Sequence, residues 1–188
     1  MDKVGVIHGR FQILHVGHME YLLAGKSRCD YLLIGITNPD LAMIKHTDSN
    51  PHRSKMSSNP FTFYERFQMT KGAMLEAGVR INEFDIVPFP INHPDHLFNY
   101  VPKCAKYYMT IYDQWGIEKY ELLKKLSCDT NVMWRKTNDE KVTSGSQIRR
   151  LIIDGKSWES LVPKFVYNYI IDNGLDKRIV ELNLREEK

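Results

Sequence analysis

The stretch that most constrains this chain lies between residues 4 and 36. A short apolar run at 4–7 leads into Gly9-Arg10-Phe11-Gln12-Ile13-Leu14-His15-Val16-Gly17-His18, and residues 19–24 then carry apolar side chains at helical spacing. Residues 31–36 are a second continuous apolar run, as expected of a strand covered on both faces in a parallel sheet. Strand, helix and strand in that order make a βαβ unit, which commits the chain to α/β layers. The glycine-bearing loop also has a chemical meaning. It ends at a helix N-terminus, where unpaired backbone N–H groups and the helix dipole favour a phosphate. Gly9 and Gly17 let the backbone approach such an anion without a Cβ in the way. His15 and His18, three residues apart at the helix start, can reach the same phosphates. Two histidines at that spacing also suit zinc, although no thiolate or carboxylate partner is evident nearby.

The rest of the chain extends this alternation. Residues 84–89 form a third strand whose Pro88, with Pro90 just beyond, suits an edge or a terminus better than a central position. Residues 105–112 and 130–134 read as a fourth and a fifth strand, with an amphipathic helix over 114–126 between them. Thr62 and Glu65 have the spacing of a capping box, and Gly78 is placed to end the helix they open. Ser144 and Gln147 suit a second capping box, with Thr143 and Ser146 adding hydroxyls at its mouth. Between 37 and 60 there is no apolar periodicity but there are prolines and a basic group that includes Lys45 and Arg53. A loop of that length is either a solvent loop or a lid that closes on an anion.

With 188 residues, 43% of them hydrophobic, the chain suits a single α/β domain over 1–188, with a helical tail from about 157 to 188. The net charge of +3 is spread among acidic residues, so no nucleic-acid surface is indicated. Cys29, Cys104 and Cys128 form no C-x-x-C and read as reduced thiols. With no apolar run of membrane-spanning length and no signal-like segment, the expectation is a soluble cytoplasmic protein without a membrane partner. A homo-oligomer stays open.

The string G-R-F-Q-x-x-H-x-G-H resembles the signature of the H-x-G-H nucleotidyltransferases, and its G-R-F-Q form is most similar to archaeal-type nicotinamide mononucleotide adenylyltransferases. Residues 59–66, Asn-Pro-Phe-Thr-Phe-Tyr-Glu-Arg, match a second string of those enzymes. Ser144, Ser146, Ile148 and Arg149 fall on the fixed positions of their S-x-T-x-I-R motif, and residues 155–163 resemble their approach to the last helices. The resemblance implies a doubly wound, Rossmann-like parallel sheet of about five strands capped by C-terminal helices. It implies nucleotidyl transfer from a nucleoside triphosphate to a small phosphate-bearing acceptor, with Mg²⁺ on the triphosphate.

His15, His18 and Arg149 would then be catalytic. Gly9, Arg10, Phe11, Gln12, Gly17, Lys45, Thr110, Thr143, Ser144 and Ser146 would bind the nucleotide, and Arg66, Asn92, His93, His96 and Phe98 the acceptor. No protein ligand to a metal is implied. The chain departs from the family where the substrates are told apart. Ile91 stands at an aspartate and Phe98 at a tryptophan that meets the nicotinamide ring, and of a T-G-N turn that cups the base only Thr110 carries over. The sequence therefore supports an adenylyltransferase acting on nicotinamide mononucleotide first. A CTP-dependent cytidylyltransferase acting on a small phosphate or phosphonate is the alternative.

Overall fold

The computed structural model describes residues 1–40 and 55–186. Five parallel strands form its sheet: β1 (Asp2–Gly9) lies between β2 (Cys29–Thr37) and β4 (Lys106–Ile111), with β3 (Phe84–Phe89) outside β2 and β5 (Asp129–Arg135) outside β4. The expected strands are all there, and β3 is an edge, as its prolines require. β1 and β2 begin before their apolar runs do, because ladder hydrogen bonds need backbone rather than apolar side chains.

Neighbouring residues of β1 serve opposite layers. Ile7 joins Leu32, Ile34 and Ile36 of β2 in a core roofed by α1 (Val16–Lys26) and α2 (Phe63–Glu76). Val6 joins Tyr107, Met109 and Ile111 of β4 beneath α3 (Gln114–Lys125), which contributes Leu123. Cover on both faces is why these strands read as unbroken apolar runs. The strand order reverses between β1 and β4, so a crevice lies beyond their carboxyl ends, where ligands of open α/β sheets bind.

The capping box of α2 is present in both directions: Glu65 N donates to Thr62 Oγ1 at 3.2 Å, and Thr62 N to Glu65 Oε2 at 2.9 Å. Gly78, at φ +84°, ends that helix in a conformation few other residues adopt. The second box, opening α4 (Gly145–Ile153), is only half formed. Ser144 Oγ accepts from Gln147 N at 3.1 Å, but Gln147 Oε1 instead accepts from the buried Thr143 hydroxyl at 3.2 Å.

The helices expected at the C-terminal end pack back onto the rest of the domain. α5 (Lys164–Asp172) packs on α2, and α6 (Leu175–Glu186) on α4. Val166, Ile170, Leu175 and Ile179 are at most 2% exposed, each contributing about 1.5–3 kcal/mol of burial. Gly72 permits the α2–α5 contact, since a Cβ there would stand 2.1 Å from Phe165. These helices complete the core. Among the described residues no helix is long and apolar enough to cross a membrane.

Candidate active site

A cleft of about 450 Å³ opens at the carboxyl ends of β1 and β4, walled by the loop after β1, the start of α1 and the mouth of α4. His15 is the N-cap of α1, and its Nδ1 accepts from His18 N at 3.3 Å. A nitrogen that accepts carries no proton, which assigns the His15 proton to Nε2. The two imidazoles stack with centroids 3.7 Å apart, and Phe11 meets His18 edge-on at 5.1 Å. Burial, aided by the charge of Lys141, holds His15 down to a pKa of about 4. His18 is also held well below its ordinary value, by burial first and then by His15, Arg10 and Lys141. Two neutral imidazoles thus sit among cations, where an arriving polyanion relieves the field that keeps protons away.

The two glycines of the loop, both on the cleft wall, also have a packing role. A Cβ on Gly9 would lie 2.5 Å from the Phe11 ring, and one on Gly17 would crowd His15 Nδ1 at 3.3 Å. They make room for the rings that position His18 and cap α1, before any anion is considered. Phe11 itself is 1% exposed and takes φ +51°, turning the loop under the histidines. Gln12 lines the cleft, but its side chain is engaged elsewhere: Nε2 donates to Phe61 O at 2.8 Å and Oε1 accepts from Phe61 N at 3.0 Å. Its side-chain amide fastens the loop to Phe61.

Arg149 stands one step behind the wall. Its guanidinium donates to the Gln12 carbonyl and, at 3.1 Å, to Ser146 Oγ, and burial lowers its pKa to about 10. It therefore ties the mouth of α4 to the loop after β1, a linking position beside its expected grip on phosphate. Gly145 belongs to the same joint, because a Cβ there would stand 2.4 Å from the Gln12 carbonyl oxygen. Thr143, Ser144 and Ser146 line the cleft at the α4 N-terminus, facing Arg10 and the two histidines.

Thr110 lines the wall as expected, beside Tyr112 and Asp113. Asp113 caps α3 by accepting from Gly116 N at 2.8 Å. Tyr112 carries Lys141 4.8 Å above its ring and accepts from Trp134 Nε1 at 3.2 Å; Lys136, 5.3 Å from the Trp134 ring, pairs with Glu20 at 3.5 Å. The sequence reading missed His8, Tyr112, Lys119, Lys136 and Lys141 on this wall. Only the position of His8 and Tyr112 near strand carboxyl ends was a signal for them.

The acceptor residues expected from sequence are not brought to the cleft. Arg66 is 1% exposed and donates to four backbone carbonyls, those of Thr62 (3.1 Å), Arg10 (3.1 Å), Thr37 (2.7 Å) and Asn38 (2.8 Å). It ties α2 to the ends of β1 and β2, and nothing of it lines the wall. Asn92 donates to Asn38 Oδ1 at 3.2 Å. His93, His96 and Phe98 belong to a short 3₁₀ segment at Pro94–Asn99 and its cap, held by Ile91 and Leu97 in the layer beneath α3. Phe98 packs against that layer, with Lys103 5.7 Å from its ring centre. These four side chains stand off the cleft because the apolar residues between them face inward. Lys45 lies outside the described residues. Among the described residues no group of three metal-ligating side chains assembles, so the histidine pair gains no zinc partners there.

Residues 6–151 match the family model described as cytidylyltransferase-like. The chain belongs to this family. It is a nucleotidyltransferase. It is 49% identical over 175 residues to a phosphonoformate cytidylyltransferase of Streptomyces viridochromogenes, covering 93% of this chain and 94% of that one. To a nicotinamide-nucleotide adenylyltransferase of Thermococcus onnurineus it is 31% identical, over 90% of this chain and 83% of the relative. In fold it is similar to a bifunctional NMN adenylyltransferase/ADP ribose pyrophosphatase from Francisella tularensis, with a TM-score of 0.64 at 16% identity over 98% of this chain. The chain spans 54% of that bifunctional protein. The same protein complexed with AMP and a manganese ion gives a TM-score of 0.63.

Proposed function

We propose that this protein transfers a cytidylyl group from CTP to a small phosphonate, and that phosphonoformate is the acceptor to test first. The observation that carries the reading is the 49% identity, along nearly the whole chain, to a relative named for that reaction, against 31% to the adenylyltransferase above. The geometry supports it. The segment at 91–98, where the sequence resemblance looked for a nicotinamide site, is packed into the layer beneath α3. The order of the two readings drawn from the sequence motifs is thereby reversed.

A phosphonate oxygen attacks the α-phosphorus in line, a new P–O bond forms, and the bond to the bridging oxygen breaks as pyrophosphate leaves. The attacking oxygen is already ionised, so no general base is needed, and two neutral histidines suit that requirement. His15 Nε2–H and the imidazole of His18 donate to phosphate oxygens as their charge grows, while the N-termini of α1 and α4 and the side chain of Arg10 hold the rest of the chain of phosphates. Arg149 keeps α4 and the loop in register, so that both helix ends address one triphosphate. The carboxylates on the wall, Glu20, Asp113 and Glu140, face Lys136, Gly116 N and Thr137 and do not form a cluster. Mg²⁺ would therefore be held by triphosphate oxygens and water, and when bound it supplies charge neutralisation. Three free cysteines fit a reducing cytoplasm.

The test is pyrophosphate release with CTP or ATP crossed against phosphonoformate or nicotinamide mononucleotide. CTP with phosphonoformate is expected to be the productive pair. Dinucleotide formation from ATP and nicotinamide mononucleotide, with CTP inert, would return the adenylyltransferase reading.

A further inference from the structure

The phosphate machinery leaves one buried polar side chain of the cleft unaccounted for. Val4, Val6 and His8 lie on one face of β1, and the two valines belong to the apolar layer beneath α3. His8 ends this row. It is 5% exposed, it lines the cleft, and its Nδ1 is buried without a hydrogen-bond partner. The Phe89 ring lies flat on the imidazole, with centroids 4.6 Å apart and planes 4° from parallel. Phe89 belongs to the edge strand and must cross β2 to get there. It does so over Gly35, the register partner of His8, where a Cβ would stand 2.5 Å from the Phe89 ring. Three adjacent strands thus hold one imidazole in a fixed plane.

Its placement separates it from the histidine pair. α1 and α4, whose N-termini address the triphosphate, pack on the Ile7 side of the sheet, whereas His8 lies on the Val6 side beneath α3. In-line displacement puts the entering and leaving oxygens on opposite sides of the phosphorus, so an acceptor belongs across the cleft from the pyrophosphate. Lys119 of α3 lines this same side, close enough for its charge to act on the imidazole. A fixed ring N–H beside an ammonium is a donor set for a carboxylate.

We infer that His8, seated on Phe89 across Gly35 and accompanied by Lys119, is the specificity-determining contact for the carboxylate of the acceptor. This rests on the phosphonate reading above. The phosphonate oxygen then points at the α-phosphorus while the carboxylate is held at the β1–α3 side. The His8 ring lines the cleft with one nitrogen unpartnered in the protein, and only an acceptor that carries the carboxylate offers the ring a hydrogen-bond acceptor.

The experiment uses two variants and two acceptors, with CTP and pyrophosphate release as the readout. His8→Phe keeps a ring against Phe89 and removes both nitrogens; His8→Asn keeps a donor near the Nδ1 position. Phosphonoformate is compared with methylphosphonate, which has the same phosphonate oxygens and a methyl group for the carboxylate; if its turnover is too slow to measure, its inhibition constant against phosphonoformate takes its place. For His8→Phe the kcat/KM for phosphonoformate is expected to fall at least about tenfold, with methylphosphonate and the KM for CTP within about twofold, and His8→Asn is expected to recover part of the loss. An unchanged value for phosphonoformate, or an equal loss on both acceptors, would overturn the assignment while leaving the reaction intact. If His8→Phe fails to fold by thermal melting, His8→Asn decides: selective weakening of phosphonoformate supports the contact, and wild-type or uniformly reduced behaviour overturns it. A native enzyme that releases no pyrophosphate from CTP and phosphonoformate would sink both readings, and is seen before any variant is made.

Discussion

The two ends of this cleft, the proposed phosphate end at α1 and α4 and the proposed acceptor end at His8, are built in different ways. At the phosphate end, the loop after β1 and the mouth of α4 each carry their chemistry within about ten consecutive residues, and one buried arginine joins them. At the His8 end, His8, Gly35, Phe89 and Lys119 come from four separate elements: the parallel register sets His8 beside Gly35, the Phe89 ring reaches across Gly35, and α3 supplies Lys119. The local construction yields motifs that a string of residues can display. The distributed one leaves no string. With His8 and Lys119 choosing the acceptor, as proposed, a family can keep its phosphate chemistry recognisable while the acceptor changes, since neither residue belongs to the motif.

The sharpest way to break this division is at His18, which belongs to the phosphate end alone. His18→Ala is expected to lower kcat by about 10²- to 10³-fold, the usual loss for one donor to charge that grows in the transition state. The KM of the acceptor should hardly move. A large rise in acceptor KM with kcat preserved would show that the two ends are not separable, and steady-state kinetics with each substrate varied in turn decides between these outcomes.

Next in size is a pH effect confined to the phosphate end. His15 is ordinarily half-protonated near pH 6.5, but burial and Lys141 hold it to about 4 in the fold. Between those values the unfolded chain takes a proton that the folded chain refuses, so this stability is fully present above pH 6.5 and is lost as pH falls toward 4. The loss amounts to about 3 kcal/mol. His15→Asn keeps a good helix cap and cannot titrate, so its stability should fall less over that window. Urea unfolding of both proteins at several pH values reads the difference, and parallel curves would mean that His15 is not a buried neutral base.

The same contrast explains what the sequence made legible. The alternation of apolar runs and helical spacing reveals five strands, their parallel order class and the edge position of β3, because each signal is local. His15, His18, Ser144 and Ser146 stand where their motifs put them for the same reason. The family resemblance sets Arg66 among the acceptor contacts. Its four carbonyl partners lie on three separate parts of the chain, which no spacing reveals. His8 is the converse case: a histidine closing the row Val4, Val6, His8 reads as one more strand residue until Phe89 and the cleft are placed around it. In the segment at 91–98 the polar residues attracted notice, but Ile91 and Leu97 decide which way it turns, and burial of those two is worth more than any exposed contact of its histidines.

A smaller effect tests the joint between the two halves of the phosphate end. Arg149 reaches the Gln12 carbonyl and Ser146 Oγ with separate nitrogens, and a lysine in its place has one nitrogen on a flexible stem. Arg149→Lys keeps the charge and loses the bridge, so kcat/KM for CTP should drop by about tenfold, the worth of one buried charge-assisted hydrogen bond. Catalysis at wild-type level in this variant would mean that α4 holds its place without the bridge, through Gly145 and the packing of Ile148 and Ile152 alone.

The smallest expected effect is the most pointed for the acceptor end. Phe98 occupies the position where the family resemblance looked for a ring-stacking partner, yet it packs against the layer beneath α3 and does not line the cleft. Phe98→Ala removes apolar contacts at a half-buried site, which should cost about 1–2 kcal/mol of stability, less than the 3–5 kcal/mol typical of a fully buried phenylalanine. It should leave the KM of a small phosphonate within about twofold. The outcome separates the two substrate classes without reference to which one turns over faster. A nicotinamide ring stacked on Phe98 would lose most of its binding in the variant, whereas a small anion held within the cleft, at His8 and Lys119, would not register the change. A strong rise in acceptor KM would therefore place the acceptor along the 91–98 segment after all. It would also show that this segment moves onto the cleft when substrate binds.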